Sequence, residues 1–269
     1  MPLGIARHII TEYTASTPWS PASDITAALW LDASDTSSYS LSGSNLSSVT
    51  DKSSNFTITV DGTPTRVSSG LNSLNVWDFN GSESLVTNSG SWSSSGNHWA
   101  IGVFQWHSTD STKDSFWSAD GTKTYAVSSS RNDNAWDGEI DYDGSNTISS
   151  GIAKNDFTVS ISSSTWTIVS IVFNKTGNQI FGRLNGTLRT GVDPYSSSMN
   201  STVTDVRMMR NRSSQKLDGR MAEYFHVAGA PGTGGTDITD VEKAEGYIAH
   251  KWGLESNLPV SHPYKSSAP

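Results

Sequence analysis

The stretch "EGYIAHKWGLESNLPVSHPY", residues 245–264, decides how this chain of 269 residues closes its fold. Within it and just upstream, four apolar residues recur at helical spacing: Val241, Ala244, Ile248 and Trp252. A stripe this narrow means that only one face of the helix is buried. The spacing therefore predicts a short helix over about residues 240–252, packed by its apolar face.

Signals at both ends fix the limits of this helix. Thr239 and Glu242 have the spacing of a capping box, in which each side chain satisfies a backbone donor of the first turn. Gly253 stands where a left-handed residue ends a helix. Pro259 and Pro263 fix φ in the segment that follows, which predicts an extended tail.

The rest of the chain reads as strands. Apolar and β-branched runs, such as residues 25–34, 55–62 and 166–174, alternate with turn sequences rich in Gly, Asn, Asp and Ser. Turn signals recur roughly every ten residues, which is typical of a β-sandwich or barrel. With no internal boundary, residues 25–269 are predicted to form one all-β domain.

Residues 1–24 differ from this pattern and are predicted to be an N-terminal arm and linker. The linker part contains Pro18 and Pro21 among small polar residues, and both prolines favour an extended chain. The arm is too short to bury its own apolar side chains, so we expect it to dock on a partner. Four residues are predicted to make that contact: Leu3, Ile5, Ile9 and Ile10.

Composition excludes several classes of protein. The net charge is -8, whereas nucleic-acid binding needs a basic surface. No apolar run is long enough to cross a membrane. The sequence holds no cysteine, so disulfides and thiolate metal sites are excluded. The first residues lack the features of a signal peptide, so synthesis and folding in the cytoplasm are expected.

Five pieces, in this order, together resemble a known family: "LWLDASD" (29–35), "VWDFNGSESL" (76–85), "WTIVSIVFN…GRLNGT" (166–187), "LDGRMAEYFHV" (217–227) and the closing stretch quoted first. They are similar to the concanavalin A-like, laminin-G-like jelly rolls of bacteriophage virion proteins. The resemblance implies a sandwich of two antiparallel sheets whose open end is covered by the C-terminal helix.

The same resemblance implies a function. We expect a non-enzymatic virion surface protein: a head decoration, a head fibre or a tail-associated subunit, made in the host cytoplasm. Its expected partners are other virion proteins, bound through the arm, and host surface polysaccharide. Copies of the chain are expected to form a homo-oligomer such as a trimer, with no nucleic acid, no membrane insertion and no required cofactor.

One acidic stretch suggests alternative functions for the chain. In "WDGEIDYDG" (136–144), Glu139, Asp141 and Asp143 alternate with Ile140 and Tyr142, so the three acids share one face of a strand. The stretch resembles the Glu-x-Asp-x-Glu signature of laminarinase- and lichenase-type endoglucanases. Carried over, Glu139 would be the nucleophile and Asp143 the acid/base, with Asp141 between them. Asp143 departs from the signature by one methylene, which widens the gap between carboxylates beyond what retaining enzymes use.

Two other readings of these residues stay open. The three carboxylates offer oxygen ligands for weak calcium binding, although Ser150 stands where an EF-hand loop needs its bidentate Glu. The plainest interpretation is an acidic outer strand face beside a turn, and no catalytic or metal residue is favoured over it.

The functional alternatives are therefore an endoglycanase or polysaccharide depolymerase that uses Glu139, and a free carbohydrate-binding module. Sugar binding would use exposed aromatic side chains beside polar ones. Five tryptophans are concentrated in the middle of the chain: Trp92, Trp99, Trp106, Trp117 and Trp136. Most are expected in the core, and the sequence does not distinguish any exposed one.

Overall fold

A computed structural model describes residues 18–91, 96–108, 114–120, 124–130, 136–143, 155–159, 164–188, 203–210 and 216–269. Within these residues the chain forms two antiparallel sheets and one α-helix near its C-terminus. The predicted β-sandwich with a closing helix is confirmed.

The larger sheet has ten strands in the order β15-β14-β13-β8-β17-β6-β5-β3-β2, with β1 beside the second half of β17. Its strands are β1 (Ala27–Asp32), β2 (Tyr39–Ser42), β3 (Asn45–Val49), β5 (Thr65–Leu71), β6 (Leu74–Asn80), β8 (His98–Ser108), β13 (Thr167–Asn174), β14 (Gln179–Leu184), β15 (Thr187–Leu188) and β17 (Asp218–Val227).

The smaller sheet has seven strands in the order β12-β11-β10-β9-β16-β7-β4. These are β4 (Thr57–Asp61), β7 (Ser84–Ser89), β9 (Asp114–Asp120), β10 (Thr124–Ser130), β11 (Trp136–Asp143), β12 (Asn155–Val159) and β16 (Asp205–Met208).

One apolar core lies between the two sheets. Strand β8 contributes Ala100, Phe104 and Trp106 to it, and Trp117 and Met208 contribute from the smaller sheet. These residues alternate along their strands with residues of the opposite face, as the pleat requires. The large aromatic rings fill this core in a chain with few aliphatic residues.

A second core lies on the other face of the larger sheet. There Trp99, Ile101 and Val103 of β8 pack with the helix residues Ile248 and Trp252. The helix therefore covers the outer face of the larger sheet, which corrects the prediction that it covers an open end of the sandwich. The sheet needs this cover because its central strands are apolar on both sides: every residue of β1 and of β13 is buried.

The helix, α1, spans Thr239–Trp252, and its C-terminus is as predicted. Gly253 adopts φ 67°, and the N–H of Leu254 closes the end by donating to the carbonyl of Ala249. The predicted capping box is wrong, because the N-cap residue is Ile238 and makes no side-chain cap bond. Asp237 supplies the acceptor instead, taking hydrogen bonds from the backbone N–H and the hydroxyl of Thr239 at 2.9 and 2.5 Å.

The tail after the helix folds back over it. Gly246 is buried beneath Tyr264, and a Cβ on Gly246 would lie 2.4 Å from the Cβ of Tyr264. The carbonyl of Tyr264 accepts a hydrogen bond from His250, 2.9 Å away. The tail therefore holds the helix from the side opposite the sheet.

The segment before β1 is packed rather than extended. Trp19 is 7% exposed and its ring lies 5.3 Å from that of Tyr247 on the helix. Residues 20–24 close a turn in which Ser20 N–H donates to the Asp24 carboxylate at 2.9 Å. The extended linker expected from Pro18 and Pro21 is thus wrong for residues 18–24, because burying Trp19 outweighs the preference of the prolines.

Candidate functional site

The outer face of the smaller sheet carries a polar row of residues in register across its strands. Thr59 of β4 pairs with Val86 of β7, which pairs with Arg207 of β16, which pairs with Ser118 of β9. The neighbouring row, one residue along each strand, faces the core: Val60, Leu85, Met208 and Trp117. Because strand residues alternate, the first row points away from the core. Within this polar row Thr59 is exposed, Val86 and Arg207 are half-buried, and Ser118 is buried.

Hydroxyl and amide groups dominate one end of this face. The Asn88 side-chain amide donates to Thr59 Oγ1 at 2.7 Å, and the Ser89 hydroxyl lies 2.7 Å from that of Thr57. All four residues are exposed. Such groups keep unused donors and acceptors that a hydroxylated ligand can meet.

Charged side chains occupy the centre and the opposite corner. Arg207 pairs with Asp205, its Nε donating to Oδ2 at 3.0 Å. Oδ2 of Asp61 forms ion pairs with Nη1 of Arg210 at 3.2 Å and with Nζ of Lys216 at 2.8 Å. The hydrogen bond from Lys216 lowers the pKa of Asp61, so this carboxylate stays ionised at neutral pH.

This arrangement is suited to binding a polar ligand. Planar guanidinium and carboxylate groups can hold pairs of neighbouring hydroxyls, and the hydroxyl-rich end adds further polar contacts. Among the described residues there is no group of three or more His, Asp or Glu placed to hold a metal ion.

The acidic stretch predicted as a candidate site lies in the same sheet. Glu139, Asp141 and Asp143 belong to β11, and Asp141 pairs with Ala126, which pairs in turn with Ser118 of the polar row. The side chains of the three acids lie outside the part of the chain that the structure describes. Catalysis by Glu139 and calcium binding by the three carboxylates remain predictions.

Only some of the other predicted site residues lie in the described part of the chain. Leu3, Ile5, Ile9 and Ile10 lie outside the described residues, so their docking role remains a prediction. Three of the five mid-chain tryptophans are buried in the two cores: Trp99, Trp106 and Trp117. They serve packing, and the side chains of Trp92 and Trp136 lie outside the described part.

The sequence analysis missed the polar row of β4, β7 and β16. The signal was available in "NFTITVDG" (55–62), where Thr57, Thr59 and Asp61 alternate with Ile58 and Val60. What the sequence could not supply is the register that places Arg207 beside these residues, since β16 lies more than a hundred residues further along the chain.

Two buried carboxylates were missed as well. Glu245 of the helix is fully buried and accepts two hydrogen bonds from Arg183, at 2.8 and 2.9 Å, and one from Ser170 at 2.9 Å. His262 of the tail lies 3.1 Å from the same carboxylate. Burial would raise the pKa of Glu245, but His262 and Arg183 outweigh it and hold the pKa below its ordinary value.

The second buried carboxylate, Glu223 of β17, receives four donors where β1, β17 and the helix meet: Trp30, Tyr247, Lys251 and Trp252. Its pKa is raised by burial, despite Lys251 beside it. Both carboxylates fix the helix onto the larger sheet, so their first role is structural.

Comparisons with solved structures agree with this fold. The chain is similar to domain 4 of AbnA, a GH43 extracellular arabinanase from Geobacillus stearothermophilus, in complex with arabinotriose. The TM-score is 0.54 at 12% identity, with 80% of this chain and 96% of that one covered. It is also similar to the binding domain of Paraclostridial Mosquitocidal Protein 1, with a TM-score of 0.54 at 12% identity and 82% of this chain covered.

A third similar structure is the binding domain of botulinum neurotoxin serotype D, with a TM-score of 0.51 at 11% identity and 82% of this chain covered. This chain spans only about half of the two toxin binding domains, 52% and 50%. No protein-family model and no curated protein sequence matches the chain. At these identities the likeness shows the fold, a β-sandwich.

Among the described residues, no helix is long and apolar enough to span a bilayer.

Proposed function

We propose that this chain is a non-enzymatic binding domain that holds a glycan on the outer face of its smaller sheet. One observation carries the proposal. The outer face of the larger sheet is covered by the helix and its tail, whereas the polar side chains at the β4–β7 end of the smaller sheet's outer face are exposed: Thr57, Thr59, Asn88 and Ser89. The similar structures support it, because they include binding domains and one was solved with a bound oligosaccharide.

We further propose that the domain is displayed on a bacteriophage virion, as a decoration, fibre or tail-associated subunit. The resemblance of the five sequence pieces supports this role. On this proposal the arm anchors the protein to other virion proteins through Leu3, Ile5, Ile9 and Ile10, and the ligand is a host surface polysaccharide. Several copies, such as a trimer, would raise the avidity for a repeating polymer.

Binding is tested by replacing one side chain of the polar row. Arg207→Ala should weaken the binding of a recognised glycan about tenfold or more, since a hydrogen bond to a charged group contributes about 1.5–3 kcal/mol. Calorimetry with arabinotriose, β-glucan oligosaccharides and purified host polysaccharide identifies that glycan. Lys243→Ala is the matched control, because Lys243 lies on the helix, on the far side of the larger sheet.

Two results of this experiment contradict the proposal. Equal affinity of Arg207→Ala and wild type, with melting temperatures unchanged, would exclude the polar row as the binding face. New reducing ends from any polysaccharide, lost in Glu139→Gln, would replace the binding role with that of a depolymerase.

Attachment to the particle is tested by deleting residues 1–17. This truncation keeps Trp19, so the melting temperature of the isolated domain should change little. Incorporation into particles should be lost, because the truncation removes all four apolar contact residues. Quantifying the protein in purified virions measures this. Incorporation at wild-type occupancy would place the docking surface on the sandwich instead, and absence of the wild-type protein from virions would favour a free carbohydrate-binding module.

A further inference from the structure

An amine and two carboxylates meet where β1, β17 and the helix come together. Nζ of Lys251 lies 2.9 Å from Oδ2 of Asp32 and 2.8 Å from Oε2 of Glu223. Asp32 and Glu223 are directly paired across the β1–β17 ladder. Their side chains are 4% and 0% exposed, and that of Lys251 is 18% exposed. Three distant segments thus hold three reactive groups in contact and largely away from water.

The surroundings of Glu223 are those of a proton-transfer group. Trp30 and Trp252 each donate an indole N–H to it, at 2.9 and 2.8 Å, and the Tyr247 hydroxyl donates at 3.2 Å. Burial raises the pKa of Glu223 and favours its neutral form. A carboxyl group of this kind can accept a proton on one oxygen and return it from the other.

The two oxygens of Asp32 lie in different environments. Oδ1 accepts hydrogen bonds from the backbone N–H and the hydroxyl of Ser34, at 3.0 and 2.6 Å. Oδ2 faces Lys251 and, at 3.1 Å, Lys52. Donors fixed on Oδ1 stabilise negative charge that develops there when a nucleophile attacks the carboxyl carbon. Oδ2 remains on the side of the amine and of Glu223.

We propose that Lys251 and Asp32 condense to an intramolecular amide bond, with Glu223 as the proton-transfer residue. The ammonium of Lys251 first gives one proton to Oδ2, which leaves a neutral amine and a neutral carboxylic acid. Nζ then attacks Cγ of Asp32. A second proton passes from Nζ through Glu223 to Oδ2, the Cγ–Oδ2 bond breaks, and Oδ2 leaves as water. One C–N bond forms, one C–O bond breaks, no electrons are exchanged, and Glu223 returns to its initial state.

Contact geometry favours Lys251 over Lys52 as the nucleophile. Lys52 also reaches Asp32, at 3.1 Å, but its shorter contact, 2.7 Å, is to Asp35. Lys251 touches both the carboxyl group it would attack and the group that would transfer its proton. Holding reactants in contact in this way replaces an encounter in solution with an effectively unimolecular step.

The product would tie the first strand to the helix that closes the fold. Asp32 and Lys251 are 219 residues apart in sequence, so the bond would enclose most of the chain in one loop. The sequence contains no cysteine, so a disulfide cannot supply such a link. A covalent tie at this place would leave the helix attached to β1 even when their packing is disrupted.

The mass of the purified full-length protein tests the proposal. After incubation in the folded state, the intact mass should be lower than the sequence mass by one water molecule. Tandem mass spectrometry of a digest should find a branched peptide that joins Asp32 to Lys251. In boiling denaturant the linked chain should migrate faster on a gel than an unlinked variant, because its loop stays closed.

Four variants complete the test. Lys251→Arg and Glu223→Gln should show the full sequence mass, whereas Lys52→Arg, the matched control, should still lose water. Asp32→Asn should lose ammonia instead of water if it reacts by the same route. Wild-type protein that keeps its full mass overturns the proposal without any variant. A peptide that joins Lys52 to Asp32 overturns the choice of nucleophile, and a linked Glu223→Gln overturns the role of Glu223.

Discussion

Replacing Trp252 by alanine should lower the free energy of unfolding by about 3–5 kcal/mol, the range for deleting a fully buried aromatic side chain. The ring is 0% exposed between the helix and the outer face of the larger sheet. Its indole N–H donates to Glu223 at 2.8 Å, so the substitution also removes one donor from a buried carboxylate. Urea denaturation of both proteins, extrapolated to water, measures the difference.

Two controls separate the contributions in this experiment. Trp252→Phe keeps most of the apolar contact but removes the donor, so it should cost less than Trp252→Ala. Val260→Ala, at a residue that is 90% exposed, should change stability by no more than about 0.5 kcal/mol. A loss below about 1 kcal/mol for Trp252→Ala would mean that the helix does not seal the second core.

Acid should unfold this protein earlier than its carboxylates alone would require. His98 and His226 lie in the core between the sheets, with ring centroids 5.7 Å apart, and His98 stacks on Phe173. Burial lowers the pKa of His98 to about 3, and burial together with the neighbouring His98 lowers that of His226 well below its ordinary 6.5. Below pH 6.5 these two histidines are therefore protonated in the unfolded chain but stay neutral in the folded chain.

Stability is then fully present above pH 6.5 and is lost as the pH falls, by about 1.4 kcal/mol per pH unit for each histidine. Between about pH 6.5 and 5.5 carboxyl groups of ordinary pKa are still largely ionised in both states, so the histidines dominate the slope there. The raised pKa of Glu223 acts in the opposite direction, and comparison with a histidine variant removes its contribution. Denaturation curves across this window should show the slope, and His98→Gln should reduce it. Equal slopes for wild type and His98→Gln would contradict the prediction.

Local patterns predicted the parts of the fold that depend on local interactions. The stripe of Val241, Ile248 and Trp252 gave the helix, and Gly253 its end, because helical periodicity and a left-handed cap are properties of adjacent residues. The capping box failed because Asp237, two residues before Thr239, offers a better acceptor. A pattern of one Thr and one Glu does not exclude such a competitor.

Long-range placement could not be predicted in the same way. Arg183 is the one charged residue of β14, yet its partner Glu245 lies 62 residues further on, and no sequence window joins them. The face covered by the helix was also mispredicted. Strand β8 contributes apolar residues to both cores, and nothing in its sequence says which layer lies on each face. The polar row could not be predicted either, because it depends on the register between strands that are distant in sequence.

The pairing of the first strand with the last has a consequence for how this chain folds. The side chains of Trp30 and Glu223, joined across β1 and β17, are 193 residues apart. Contacts of such separation slow folding, because a long loop must close before they form. On the ribosome, β1 must wait for nearly the whole chain to emerge, and its apolar residues stay unpaired during that time. We therefore expect the closing step to follow translation, and nascent chains to depend on chaperones that shield β1 until β17 and the helix arrive.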